Sequence, residues 1–157
     1  MSTKINVNLA CIEKIDITPA RLVIAKLLDR LEHDPSIDAQ IEFEILYPRE
    51  PGDPRELPEI PEIRLWFIRL DTVYPWLPYL LDWREELNRY KAMLVPHQFS
   101  RTAGIEYNPE AEQIFVMHKI FTISQWLKQR GIPSTEKLQQ FSIALGYEVD
   151  REFFTLL

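Results

Sequence analysis

Two stretches of strict alternation with a helix between them constrain this chain most. In INVNL, Ile5, Val7 and Leu9 fall on one face and Asn6 and Asn8 on the other. IEFEILY repeats the pattern, with Ile41, Phe43, Ile45 and Tyr47 facing inward. A period of two is what a half-buried strand requires. Between them Thr18-Pro19 opens a helix, Thr18 as N-cap and Pro19 at the first helical position, where a missing N–H costs nothing. The helix is expected to reach about Leu31, burying Leu22, Ala25, Leu28 and Leu31.

IRLWFIRL, residues 63–70, is apolar on both faces and reads as a central strand. A strand–helix–strand crossover that leaves a gap for a third, antiparallel strand is the split β-α-β arrangement, here in the order 1-3-2. Residues 48–61, PREPGDPRELPEIP, carry five of the chain's twelve prolines. Proline fixes φ and withholds a donor, so this segment is an extended, semi-rigid connection. It serves either as a docking arm or as a surface loop closing a hairpin.

The second half reads as helical. Asp82 and Glu85 suggest a capping box for a helix to about Met93. Asn108-Pro109 opens another, ending near Arg130 with Gly131 at C′. Ser134 starts a further helix that Gly146 stops, and a short turn follows Asp150. The expected fold is therefore α+β: a three-stranded sheet packed with several helices, with a mostly helical C-terminal half. One domain spans 1–157, its sheet-forming part about 1–71 and its helical part about 82–157. A chain of this length buries about 70% of its extended surface, enough for a core without staples.

A net charge of −6 argues against nucleic acid as a partner, because phosphates demand a basic surface. Cys11 is the single cysteine, so no internal disulfide forms, and its acidic neighbours Glu13 and Asp16 point to an unreactive thiol. YPWLPYLL, the longest apolar stretch, is too short to span a bilayer, and MSTKINVNLA lacks the features of a targeting segment. These features describe a soluble protein of a reducing compartment with no direct membrane insertion.

VPHQFSRTAGIEYNPE, residues 95–110, concentrates polar side chains between two helical patterns. His33, His97 and His118 show no metal-ligand spacing, and no metal or cofactor is expected. His118, inside IFVMHKIF, reads as a hydrogen-bonded core histidine. Ser100 follows His97 by three residues but lacks a nucleophile elbow and an orienting acid. Arg101, Ser100, Thr102 and Gly104 could cradle an anion, so one reading is an enzyme or small-ligand binder using His97, Ser100 and Arg101 on a phosphate or carboxylate. Glu85-Glu86 and Glu110/Glu112 sit in first helical turns, where they complement the helix dipole. TVYPWLPYLLDW gathers Tyr74, Trp76, Tyr79 and Trp83, residue types that either plug a core or anchor a partner.

IRLWFIRLDTVYPWLPYLLDW and RYKAMLVPHQFSRTAGIEYNPEAEQIFVMHKIF together resemble the chlororespiratory reduction family, the sixth of that series, found in cyanobacteria and plastids. The resemblance is close over about 63–121. It implies a non-enzymatic assembly factor for the hydrophilic arm of the photosynthetic NAD(P)H dehydrogenase-like complex. The implied partner is that complex's ferredoxin-like iron–sulfur subunit, with other assembly factors as further partners. The location it implies is cytoplasmic in a cyanobacterium or stromal in a plastid. The expected partner-binding residues are Tyr74, Trp76, Trp83, His97, Gln98, Phe99, Ser100, Arg101, Tyr107 and Asn108. The aromatics anchor, and Arg101 bonds a client carboxylate. A further reading makes the loop an internal tie, its polar groups satisfying buried helix ends.

Overall fold

A computed structural model describes residues 2–36, 39–95, 97–100, 102 and 104–157, with the side chains of 97–100 and 104–107 excepted. It is an α+β structure with four strands in two separate two-stranded sheets among the described residues.

Strands β1 (Ser2–Asn8) and β2 (Gln40–Leu46) pair in parallel, Ile5 opposite Phe43 and Val7 opposite Ile45. Their inward residues follow the alternation: Ile5, Val7, Ile41 and Phe43 are buried, and Ile45 and Tyr47 pack partly. The chain leaves β1 through a short helix α1 (Leu9–Lys14), whose start the Asn8 side chain caps on Cys11 N–H at 2.9 Å. Ile15 ends it in the left-handed region, φ 50°. Helix α2 (Thr18–His33) follows with Pro19 in its first turn. Its cap is not Thr18. The Asp16 carboxylate accepts from both the Thr18 N–H, at 3.0 Å, and the Thr18 hydroxyl, at 2.6 Å. The buried stripe also differs from expectation. Ala20, Ile24 and Leu27 are buried, Leu28 and Leu31 pack at the flank, and Leu22 and Ala25 face solvent.

The third strand is not there. Residues Pro61–Val73 form helix α3, with Pro61 in the first turn and Ile63, Trp66, Phe67 and Leu70 buried. That spacing of three, four and three is one face of a helix. β1 and β2 are direct hydrogen-bonded neighbours, so the 1-3-2 order has no slot to fill. α3 lies under the sheet, with the Phe43 ring edge-on to Phe67 at 5.1 Å and to Trp66 at 6.2 Å. Trp66 Nε1 donates to the Asp16 carbonyl at 2.8 Å, and Arg69 donates to the Ile15 carbonyl at 2.5 Å. These bonds satisfy the turn between α1 and α2. The proline-rich residues 48–61 thus join β2 to α3 rather than closing a hairpin, with a turn at Gly52 and a 3₁₀ turn at Leu57–Glu59.

A 3₁₀ turn (Leu77–Leu80) leads to helix α4 (Glu86–Leu94). The Asp82–Glu85 capping box does not form, because the Asp82 carboxylate turns onto the Arg84 N–H at 3.0 Å and the helix starts at Glu86. Glu86 is no exposed dipole partner either. It is buried, accepting from Phe43 N–H at 3.3 Å and from Arg89, which itself donates to the Phe43 carbonyl at 2.8 Å. Strands β3 (His97–Ser100) and β4 (Gly104–Tyr107) make an antiparallel hairpin where a loop was expected.

Helix α5 (Pro109–Gln129) starts and stops as its sequence dictates. Asn108 Oδ1 accepts from Ala111 N–H at 3.2 Å, and Gly131 turns the chain at φ 68°. Helices α6 (Thr135–Ala144) and α7 (Arg151–Thr155) follow. One apolar cluster fills the space between the sheet, α2 and α3, and a second lies among α5, α6 and α7. Leu28, Trp76, Tyr79 and Phe115 pack against both.

The helical phase of 61–73 gives a direct test. As a strand, Leu65 and Phe67 would share one face; as a helix, Phe67 is buried and Leu65 is 49% exposed. Phe67→Ala is expected to cost about 3–5 kcal/mol, and Leu65→Ala about 0.5 kcal/mol or less. Urea unfolding midpoints of the two variants measure the difference.

Candidate functional site

The aromatic segment after α3 divides its side chains between core and surface. Leu77, Pro78 and Leu80 are buried, while Tyr74, Trp76, Tyr79 and Trp83 are half-buried. Trp76 stacks on Trp126 of α5 with ring centroids 4.6 Å apart and planes inclined by 15°. Tyr74 meets the Trp76 ring edge-on at 5.9 Å, and Tyr79 lies 5.4 Å from Trp126. Trp83 stands edge-on to Phe141 of α6 at 5.8 Å. Such offset and edge contacts each stabilise by about 0.5–1.5 kcal/mol beyond area burial. The four aromatics therefore join the two clusters and still keep exposed edges.

Tyr79 and Trp83 open on a cleft of about 780 Å³, between the end of α2, the 77–84 segment, and α5 with α6. Tyr79, Trp83 and Trp126 are among its walls, and Arg84, Arg130 and Lys137 bring three cationic groups to it. The Arg130 guanidinium lies 4.6 Å over the Trp126 ring. Lys137 Nζ donates to the Tyr79 hydroxyl at 2.7 Å and sits 5.3 Å from the ring centroid. A cation is attracted by the negative face of an aromatic ring, which holds Arg130 at the cleft, while Lys137 is held there by its hydrogen bond to the Tyr79 hydroxyl.

The polar stretch is the β3–β4 hairpin. His97 pairs with Tyr107 across it, Gln98 with Glu106, Phe99 with Ile105 and Ser100 with Gly104. Arg101 lies outside the described residues, as do the side chains of His97, Gln98, Phe99, Ser100 and Tyr107. Asn108 is described, and its carboxamide is spent on capping α5. A Lys91–Glu112 ion pair at 3.2 Å, mostly buried, links α4 to α5 across the hairpin's base. Arg64 fills the helix-end role considered for the loop's own arginine: it donates to the Val95 carbonyl at 3.0 Å, to Ala92 at 3.4 Å and to Pro58 at 3.1 Å. Burial lowers its pKa from the ordinary arginine value.

Beneath the aromatic segment lies a buried polar group of three. Lys119 of α5 is fully buried and ion-paired to Asp71 of α3, and it also donates to the Pro75 carbonyl at 3.0 Å. Tyr90 of α4 donates to the same Asp71 carboxylate at 2.9 Å. Desolvation lowers the Lys119 pKa against the pull of Asp71, and it raises that of Tyr90 well above 10.0, with Asp71 adding to the rise. No buried side-chain polar atom of the group lacks a partner, so the group is a brace. It fixes the point where the aromatic segment leaves α3.

His118 corrects its expectation: it is exposed, one position before the buried Lys119. His33 is exposed at the end of α2, where its ring shares a 2.7 Å hydrogen bond with the Asp29 carbonyl; that bond, then the Asp29 charge, raises its pKa from 6.5. Cys11 is half-packed in α1. Among the described residues no group of three or more His, Cys, Asp or Glu could hold a metal ion, and no helix is long and apolar enough to cross a membrane.

Sequence reasoning missed Trp126, Arg130 and Lys137 as cleft residues. Trp126 and Arg130 stand four apart in α5, the spacing that stacks a cation on an aromatic along one helix face, and that signal was readable. Lys137 meets Tyr79 across 58 residues, and no local pattern announces it.

The family model for chlororespiratory reduction 6 matches residues 7–156, nearly the whole chain. No solved structure matches.

The brace predicts its own energetics. Asp71→Asn keeps an acceptor for Tyr90 but strands the Lys119 ammonium, and is expected to cost about 3–5 kcal/mol in urea unfolding at neutral pH. Adding Lys119→Met should recover most of that loss. A buried lysine whose folded pKa lies below 10.5 binds fewer protons folded than unfolded, so stability rises with pH up to that value. The deficit of Asp71→Asn should accordingly shrink between neutral pH and 10.5.

Proposed function

The chain belongs to the chlororespiratory reduction 6 family, which implies a role in assembling the NAD(P)H dehydrogenase-like complex, and from that premise we propose that it is a non-enzymatic chaperone for the ferredoxin-like iron–sulfur subunit. It holds that subunit before incorporation into the hydrophilic arm, in the cytoplasm of a cyanobacterium. The whole chain acts as one domain. The proposed contact residues are Tyr74, Trp76 and Trp83 of the aromatic segment, with His97, Gln98, Phe99, Ser100, Arg101, Tyr107 and Asn108 of the hairpin and its exit.

The observation that supports this reading most is the half-burial of the aromatics Tyr74, Trp76, Tyr79 and Trp83, two of which, Tyr79 and Trp83, line an open cleft. Tryptophan and tyrosine buried on one edge and free on the other are the residues that carry most binding energy at interfaces. Their inner edges are fixed by stacking, so little side-chain freedom is lost on docking, which favours affinity. The hairpin adds a short two-stranded ribbon, with the Arg64 bond to Val95 and the Lys91–Glu112 pair between the helices that flank it. Arg101, between the two strands in sequence, is assigned a charge-assisted bond to a client carboxylate.

Titration calorimetry with the purified, cluster-free ferredoxin-like subunit checks the proposal. Wild type should bind saturably. Trp83→Ala should weaken binding about 30-fold, the effect of losing a hot-spot aromatic, and Arg101→Ala about tenfold or more. Wild-type protein that gives no heat and no mobility change with the subunit would reject this client. Binding unaffected by either substitution would reject the assigned contact residues.

A further inference from the structure

We propose that the cleft between α2, the 77–84 segment and α5–α6 is a docking groove for an acidic segment of a partner protein, bearing an apolar or aromatic side chain between carboxylates. The inference deepens the assembly-factor reading and rests on it in supposing a protein partner.

The walls set the apolar requirement. Trp126 is 93% covered, with Trp76 stacked on one face and Tyr79 close by, and it contributes to the cleft with Tyr79, Trp83 and Leu81. A volume of about 780 Å³ takes several side chains at once.

The charges set the second requirement. Arg84, Arg130 and Lys137 line the cleft against the carboxylates of Glu32 and Asp82. One Asp82 oxygen is already committed to the Arg84 N–H. The Arg130 guanidinium, stacked over Trp126, has no hydrogen bond or ion pair among the described residues, so its donors remain available. Lys137 uses one donor on the Tyr79 hydroxyl and keeps two. An arginine held over an indole with its Cζ 4.6 Å from the ring centroid keeps its N–H fork for a ligand, and a carboxylate is the group that fits that fork in two parallel bonds. The chain as a whole carries −6, so this excess of cationic groups runs against the prevailing charge. It sets a local preference for an anionic ligand. Apolar walls between cationic points match a peptide that alternates carboxylates with a large apolar side chain.

The test uses the full chain and three probes: an acetylated peptide in which glutamates flank phenylalanine, the same peptide with lysines in place of glutamates, and ATP. Binding is followed by tryptophan fluorescence and calorimetry. Near-UV circular dichroism of the Trp76–Trp126 stack verifies folding of Arg130→Glu and Lys137→Glu. The glutamate peptide should bind saturably, the lysine peptide and ATP should not, and each charge reversal should weaken binding tenfold or more. Failure of the glutamate peptide to bind, equal binding of the lysine peptide, preferential binding of ATP, or indifference to both reversals would overturn the proposal. Titrating the cluster-free iron–sulfur subunit against the same variants separates the two readings. If it binds wild type and both reversals alike, the groove is not its dock and this inference falls while the assembly reading stands. If the peptide behaves as expected and the subunit does not bind, the groove stands and the choice of client falls.

Discussion

The Asp71 carboxylate is the joint of the molecule. Helices α3, α4 and α5 meet on it, through Asp71 itself, the Tyr90 hydroxyl and the Lys119 ammonium. Burying an ammonium is unfavourable unless it is paired and hydrogen-bonded, and this one has both the carboxylate and the Pro75 carbonyl. The requirement is strict in a way that apolar packing is not. Leucines can slide over one another, whereas Lys119 has one place to put its charge. That fixes α5 against α3, and with it the position of Trp126 under Trp76.

From this joint the two apolar clusters acquire a fixed relation. Leu28, Trp76, Tyr79 and Phe115 pack against both, so the seam is aromatic as well as ionic. Aromatic seams bury much area with few rotatable bonds, and their edges still present polar handles. The cleft is the outer end of that seam. Core packing and the candidate binding surface are therefore made from the same rings, and a change in one is felt in the other.

Much of this was legible in the sequence, and the failures have identifiable causes. β1, β2, the Asn108-Pro109 start of α5 and its Gly131 stop follow from local chemistry, and local chemistry decided them. Residues 63–70 were misread because eight apolar-rich positions fit a two-sided strand as well as a buried helix. The deciding signals were Pro61 at the start of the helix and the helical spacing of Ile63, Trp66, Phe67 and Leu70. On α2, Ala20 and Ile24 rather than Leu22 face the sheet, a choice made by the tertiary approach of β1 and β2. His118, expected in the core, is exposed while the neighbouring Lys119 is buried, for a non-local reason. Hydropathy would bury the histidine and expose the lysine, but Asp71, 48 residues away, reverses the order. The aromatic segment was visible as a candidate site, while Arg130 and Lys137 joined it only through folding.

The short parallel sheet has a consequence for how this chain can associate. A two-stranded sheet has two edges, and exposed edges invite further strands. β2's outer side is occupied: Leu81 bridges to Ile41, Glu86 takes the Phe43 N–H, and Arg89 takes the Phe43 carbonyl. Two charged side chains thus stand where another backbone would have to bond. Growth of the sheet past β2, in aggregation or in strand exchange between copies, would first have to displace side chains that already hold that strand's backbone groups, so the fold protects this edge with its own charges.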